Sequence, residues 1–276
     1  MKKFLIVLLL ALTACNTNQT KDILLVSTTS TQDSGLLDVL LPAFESQTGY
    51  QVRLVATGSG QALKIGEQGN ADVILLHSPD AEKEFIANGF GIDRRLVMHN
   101  DFVIVGPPSD PASLLSKLTL DSAFESIYSS ASTFVSRGDE SGTHVKELAI
   151  WKNTGLDPYG QSWYLETGQG QGNTLSIASE KGGHALVDRG TFLAYKSNLN
   201  LEILFEGDPF LLNVYHVLTV NPELWDSVNL EGAKAFEDFI TSSDGQSIID
   251  DFGVREYGQP LFFPDAGKTD AELGLP

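Results

Sequence analysis

The order of strand-like and helix-like segments predicts an α/β protein of two lobes with a ligand cleft between them. Three observations carry that prediction. The chain has 276 residues, 42% of them hydrophobic, which is room for one large or two modest domains with a substantial core. Up to Pro108, short apolar runs alternate with segments of helical periodicity, the order of a mostly parallel sheet with helices on its faces. Beyond Pro107 and Pro108 a second set of such segments begins, and no internal repeat or low-complexity block interrupts either set.

The first set reads in order. "DILLVS" is a short apolar run, a buried strand. "DSGLLDVLLPAFESQTG" places Leu36, Leu37, Leu40, Leu41 and Phe44 on one helical stripe, with Gly49 as its stop. "YQVRLVAT" is strand-like, and "GSGQALKIGEQG" is a loop running into a helix. "ADVILLHS" is a strand, "PDAEKEFIANG" a helix with proline at its start, and "DFVIVGPP" a further strand. The second set comprises "STFVSR", the helix "SGTHVKELAIWKN", the helix-like "QGNTLSIASEKGG", the strands "LEILFEG" and "NVYHVLTVNP", and late helices in "NLEGAKAFEDFITSSDGQSIIDDFG". Each lobe is expected to have its own sheet. The chain should leave lobe one near Val105–Pro108 and return near Asn213–Val217. That assigns residues 22–106 and 216–276 to lobe one and residues 107–215 to lobe two, with a cleft where small ligands bind.

The N-terminus has a different character. "MKK" is a positive n-region and "FLIVLLLALTA" an apolar h-region too short to span a bilayer. "LTAC", ending at Cys15, resembles a bacterial lipobox, where the signal is removed and the cysteine is lipidated. Residues 1–14 are therefore expected to be a lipoprotein signal peptide, and residues 15–21 the lipidated Cys15 with a polar tether. Cys15 is the one cysteine, so no internal disulfide is available. The formal net charge of −18 excludes nucleic acid as a natural partner and leaves no polybasic patch for anionic lipid. An extracytoplasmic protein held at a membrane by lipid is the expectation.

Three polar stretches stand where strands end and helices begin: "STTSTQDSG" (Ser27 to Gly35), "ATGSGQ" (Ala56 to Gln61) and "SRGDESGTH" (Ser136 to His144). Each has the make-up of an anion cradle. Helix N-termini offer unpaired N–H groups and a positive dipole end, glycine lets the backbone approach closely, and serine and threonine add hydroxyl donors. Simple N-capping favours the same residue types and stays open for each stretch taken singly. Five consecutive hydroxyl residues exceed what one cap needs, and Arg137 adds a planar fork of donors suited to an oxyanion.

Other chemistries fit less well. Ser141 and His144 share a helical face, but triad members come from separate segments and the G-x-S-x-G elbow is missing from "GDESG". A secreted hydrolase using Ser141 and His144 remains the alternative of a different class. The five histidines show no i, i+4 or Cys/His spacing, so no metal site is expected. No P-loop or G-x-G-x-x-G follows a strand, and no cofactor is expected.

The stretches "STTSTQDSGLLDVLLPAFESQTG", "VATGSGQALKIGEQGNADVILLHSPDAE", "MHNDFVIVGP", "FVSRGDESGTH", "WYLETGQGQGNTLSIASEKG" and "DRGTFLAY" resemble, in order and across nearly the whole mature chain, the TupA-type tungstate-binding proteins of ABC importers. The resemblance implies a two-lobed fold of the periplasmic-binding type (type II) with the oxyanion between lobes, presented on closure to a membrane permease. It implies no enzymatic activity and a monomer. Carried over by motif, Thr28, Thr29, Ser30 and Ser59 would donate from lobe one. Arg137, Ser141 and Thr143 would donate from lobe two with the Gly142 backbone, and Thr174 is a weaker candidate. Ser27 replaces the first threonine of the family's TTTS, Gln171 stands where methionine is common, and "NVYHV" replaces an "NPYGV"-like crossing. Tungstate, or molybdate of the same shape, is a full dianion and needs donors alone, whereas phosphate keeps some proton and benefits from a carboxylate acceptor. Asp33, Asp72 and Asp139 lie near the stretches, and Asp33 is expected to cap the helix that follows it. Molybdate- or phosphate-binding by the same fold is the alternative within binding proteins.

Overall fold

The computed structural model describes residues 21–139 and 141–274. The expected signal peptide (residues 1–14), Cys15 and its tether up to residue 20 lie outside the described residues. The chain opens with β1 (Asp22–Thr28), α1 (Thr29–Asp33), α2 (Leu36–Thr48), β2 (Gln51–Thr57), α3 (Ser59–Glu67), β3 (Val73–Leu76) and α4 (Pro79–Ala87). β1 lies between β2 and β3 and runs parallel to both, with Thr28 opposite Thr57 and Ser27 opposite Leu75. Leu36, Leu37, Leu40 and Phe44 of α2 are buried, as their stripe predicts. Asp33 does not cap α2. It is the exposed last residue of α1, and the α2 N-cap is Gly35, at φ +81° and with no side-chain bond. Two residues separate α1 from α2, and only a left-handed glycine turns the chain that tightly.

β4 (Gly91–Gly106) follows and is 16 residues long. Next come α5 (Leu120–Ser130), β5 (Phe134–Ser136), α6 (Gly142–Thr154), β6 (Tyr164–Glu166), α7 (Gln171–Lys181), β7 (Ala185–Asp188), α8 (Arg189–Tyr195) and β8 (Glu202–Phe205). β9 (Leu212–Val220), α9 (Leu230–Ile240), α10 (Ser243–Asp251), α11 (Val254–Tyr257) and β10 (Phe263–Pro264) close the order. Leading up to Asp101, β4 pairs with β9; from Phe102 it pairs with β7, and from Ile104 also with β8. β4 thus joins the strands before and after the crossing into one eight-stranded sheet.

The expected mostly parallel sheet is corrected. Among the described residues β1–β2, β1–β3 and β5–β6 pair in parallel, with one further parallel bridge from Phe134 to His184, while β3–β9, β4–β9, β4–β10, β4–β7 and β4–β8 are antiparallel. A chain that leaves on one strand and returns beside it must run the opposite way. The expectation of separate sheets fails for the same reason, since the crossing strand β4 hydrogen-bonds on both sides of the crossing.

Four apolar clusters cover the sheet faces. α2, α9 and α10 enclose one with Phe44 and Phe236, and α3 and α4 enclose another with Leu63 and Phe85. Beyond the crossing, α5 and α6 cover Phe102 and Ile104, while α7 and α8 cover Val103 and Val105. Alternation over Phe102–Val105 sends successive side chains to opposite faces. Full burial of each such side chain stabilises by about 1.5–3 kcal/mol. On α6, Trp151 stacks edge-on against Phe124 with centroids 4.5 Å apart and lies 5.6 Å from Phe134. That aromatic cluster holds the C-terminal half of α6 and so aims its N-terminus.

Candidate functional site

Thr28, Ser59 and His77 lie at the C-terminal ends of β1, β2 and β3, two of them just past their strands. In open α/β sheets this is the edge where ligands bind. The Thr28 hydroxyl, 3% exposed, is the centre of a cluster. It accepts the Thr31 amide as the cap of α1 and lies 2.6 Å from the Thr31 hydroxyl, 3.1 Å from Ser30 and 3.1 Å from His77 Nε2. Thr29 and Ser30 are exposed at the head of α1. Ser59 heads α3 and caps nothing: the N-cap is Gly58, without a side-chain bond. Beta carbons at Gly58 and Gly60 would meet nothing within 4 Å, so the helix end is open.

His77 is the residue that sequence reasoning passed over. Its Nε2 faces Thr28 and Ser30, and its Nδ1 lies 2.9 Å from Asn213 Oδ1. Asn213 in turn donates to Asn100 at 2.8 Å and to the Tyr215 hydroxyl at 3.1 Å. Asn100 and Asn213 are opposite one another on the crossing strands β4 and β9. The hydroxyl cluster is therefore wired through one imidazole to both crossings. Burial lowers the His77 pKa, partly offset by Asn213 and Glu82, which favours the neutral ring. The available signal was its position at the end of a strand parallel to β1; among five histidines without any motif spacing its identity alone said nothing.

On the other side of the cleft, Arg137 follows β5. Its Nε and Nη2 donate to Asp139 Oδ2, which orients the guanidinium. Burial alone would raise the Asp139 carboxyl, but hydrogen bonds from Ser141 and Arg137 hold it below the usual range. Gly138 sits at φ +59°, and a Cβ there would come within 2.8 Å of Glu166, so this tight turn requires glycine. Ser141 is the N-cap of α6 and accepts the His144 amide at 3.4 Å. As an accepting cap its hydroxyl proton can still be donated. The amides of Gly142 and Thr143 head the same helix, where no i−4 carbonyl exists to receive them.

Thr174 is fully buried; its hydroxyl bonds the Gln169 and Gly170 carbonyls and lies 3.0 Å from Thr167. It locks the turn beside Arg137 rather than projecting from it. His144 is 5% exposed and packs inside the lobe. Asp72 points away from the cleft, accepting the Leu24 and Asn229 amides at 2.7 Å each. Lys146, one turn into α6, donates to the Phe210 carbonyl at 3.0 Å, and burial lowers its pKa. Its charge also acts on His77 across the cleft. Among the described residues no hydrogen bond joins Thr28, Thr29, Ser30 or Ser59 to Arg137, Ser141 or Thr143, so the two donor sets face each other unlatched.

Two α/β lobes, paired crossing strands and donor-rich loops at strand ends define the periplasmic-binding type of two-lobed solute-binding protein. The PBP superfamily domain matches residues 14–244. The tungstate-binding protein TupA of Peptoclostridium acidaminophilum is 46% identical over 274 residues, covering 95% of this chain and 96% of that relative. The solved structure of the tungstate-binding protein TupA from Desulfovibrio alaskensis superposes with a TM-score of 0.84 at 42% identity, over 89% of this chain and 99% of that one. The structure described as the tungstate ABC transporter from Geobacter sulfurreducens gives a TM-score of 0.70 at 46% identity, over 84% and 98%. The chain belongs to the TupA family of the PBP superfamily.

Proposed function

We propose that this chain is an extracytoplasmic receptor that captures tungstate between its lobes and delivers it to an ABC transporter permease. Residues 22–106 and 216–276 would form one lobe and residues 107–215 the other. Thr28, Thr29, Ser30 and Ser59 would donate from the first, and Arg137, Ser141, Thr143 and the Gly142 amide from the second. Cys15 would carry the lipid that holds a monomeric receptor at the membrane, since stable anchoring takes more than one acyl chain.

The observation that carries this reading is the state of Asp139, a carboxylate beside the donors. Both Asp139 oxygens are engaged, Oδ2 by Arg137 and Oδ1 by the Ser141 amide. A site with donors on both sides and its carboxylate occupied suits an anion that brings no proton of its own. Family relatives named as tungstate-binding proteins support the choice of ion. A charge-assisted hydrogen bond contributes about 1.5–3 kcal/mol net. Six or seven of them give about 10–20 kcal/mol before the costs of ordering and closure, enough for tight capture. Calorimetric titration of the purified chain with tungstate, molybdate, phosphate and sulfate tests the reading. Tight tungstate binding and no phosphate or sulfate heat is expected; tight phosphate binding without tungstate heat would overturn it.

A further inference from the structure

Anion capture as described leaves one buried carboxyl in α6 without a task. Glu147 is 2% exposed. Its Oε1 accepts from the Tyr164 hydroxyl at 2.7 Å and from Trp151 Nε1 at 3.2 Å, and the nearby Ser136 hydroxyl favours its ionised form. Ser136 is itself fully buried and accepts the Gly138 amide at 3.3 Å. Tyr164 pairs with Phe134 of β5, the strand that leads to Arg137, and Ser136 lies between the carboxyl and the turn that presents Arg137. Among the described residues no lysine, arginine or histidine forms an ion pair with Glu147. The titratable groups facing it are Tyr164 and Glu166 of β6 and, from the loop before β6, Tyr159. All three are neutral or negative, so none of them compensates a negative charge on Glu147.

We propose that Glu147 is a positioning residue for the anion site, holding the Ser136–Gly138 turn and taking up a proton when a dianion enters the cleft. The inference rests on the anion-capture reading above. Burial already pushes this carboxyl up to about 7, so it is part ionised at neutral pH. A dianion held by Arg137 adds like charge and raises its proton affinity further. With the proton on Oε2, Oε1 still accepts from Tyr164 and Trp151. Linkage then requires affinity to rise as pH falls, by at most about tenfold per pH unit for one proton. His77 is the other group a dianion would draw a proton onto, because it sits against Thr28 and Ser30.

Calorimetry on the full chain with sodium tungstate, in buffers of differing ionisation enthalpy near about pH 7.5, reads the proton directly. The observed heat should depend on the buffer, reporting uptake of a fraction of a proton per ion. Glu147→Gln keeps the acceptor for Tyr164 and Trp151. It should bind at about pH 8.5 within threefold of the wild-type affinity at about pH 6.5, with the buffer dependence gone. Proton uptake that persists in Glu147→Gln assigns the proton to His77 or elsewhere and overturns the proposal, as does tungstate binding by the wild type without uptake. No tungstate heat in the wild type rejects the capture reading itself, a distinct result. Should Glu147→Gln fail to fold, Tyr164→Phe removes the shortest donor while leaving the carboxyl. The midpoint of the affinity-versus-pH profile must then move to higher pH; an unchanged midpoint overturns the proposal.

Discussion

Arg137 illustrates how one side chain is made ready for an oxyanion. The guanidinium has two donor edges, and Asp139 occupies the Nε/Nη2 edge. The carboxylate thereby fixes the plane of the fork before any ion arrives, at the cost of like charge beside the incoming dianion. Arg137→Ala removes the proposed main charge partner of the ion and should weaken tungstate binding by about 30- to 1000-fold, the loss of about 2–4 kcal/mol. His144, although only seven residues away, packs inward. His144→Ala should leave affinity within about threefold while lowering the melting temperature through lost packing. Calorimetry and thermal unfolding of the two variants separate a donor from a packing residue. Loss of binding in the histidine variant would reopen the hydrolytic alternative.

Among the elements, β4 and β9 decide how the two halves communicate. At the point where β4 exchanges β9 for β7, Asp101 accepts both donors of the Nε/Nη2 edge of Arg189, at 2.7 Å from Nε and 2.6 Å from Nη2. Arg189 heads α8 and also reaches Glu206 after β8, and the paired carboxylates raise its pKa. It therefore stitches the crossing strand to two elements beyond the crossing. Arg189→Leu strands Asp101 in a buried site and should cost about 3–5 kcal/mol in urea unfolding. The double change Arg189→Leu with Asp101→Leu should recover part of that loss, because an apolar pair leaves no orphaned charge. If the single change costs under about 1 kcal/mol, solvent is screening the pair and it is no hinge stitch.

For the whole molecule, the net charge of −18 and the binding of a dianion are compatible because they act at different ranges. Surface charge is screened beyond about 8 Å at physiological salt, whereas donors in the cleft act at contact. Binding energy should appear as folded-state stability. Tungstate at about 1,000 times its Kd adds about 4 kcal/mol, and for a chain of this size that raises the melting temperature by about 8 °C. Sulfate should leave it unchanged in the same thermal scan. Cys15→Ala should move the protein from the membrane fraction to the soluble fraction of the cell envelope, as fractionation would show; membrane retention would rule out a thiol-linked anchor.

The sequence by itself determined what is local. Apolar periodicity located α2, a leading proline marked α4, the strand runs marked β1, β2 and β3, and the hydroxyl- and glycine-rich stretches stood out at strand ends because anion cradles and helix starts draw on the same few residue types. Motif order alone pointed to the TupA family. Strand direction was not legible, since hydrogen-bond partners far apart in the chain leave no periodicity; β9, which pairs with both β3 and β4, made the sheet mixed. Nor could spacing tell capping from cradling. Only tertiary structure revealed that Gly58 leaves Ser59 uncommitted, that Thr174 spends its hydroxyl inside the fold, and that Asp139 turns toward Arg137 while Asp72 turns away. His77 and Glu147 gained their meaning the same way. A side chain's burial and partners are set by residues distant in sequence, and those decide whether it binds, positions or merely packs.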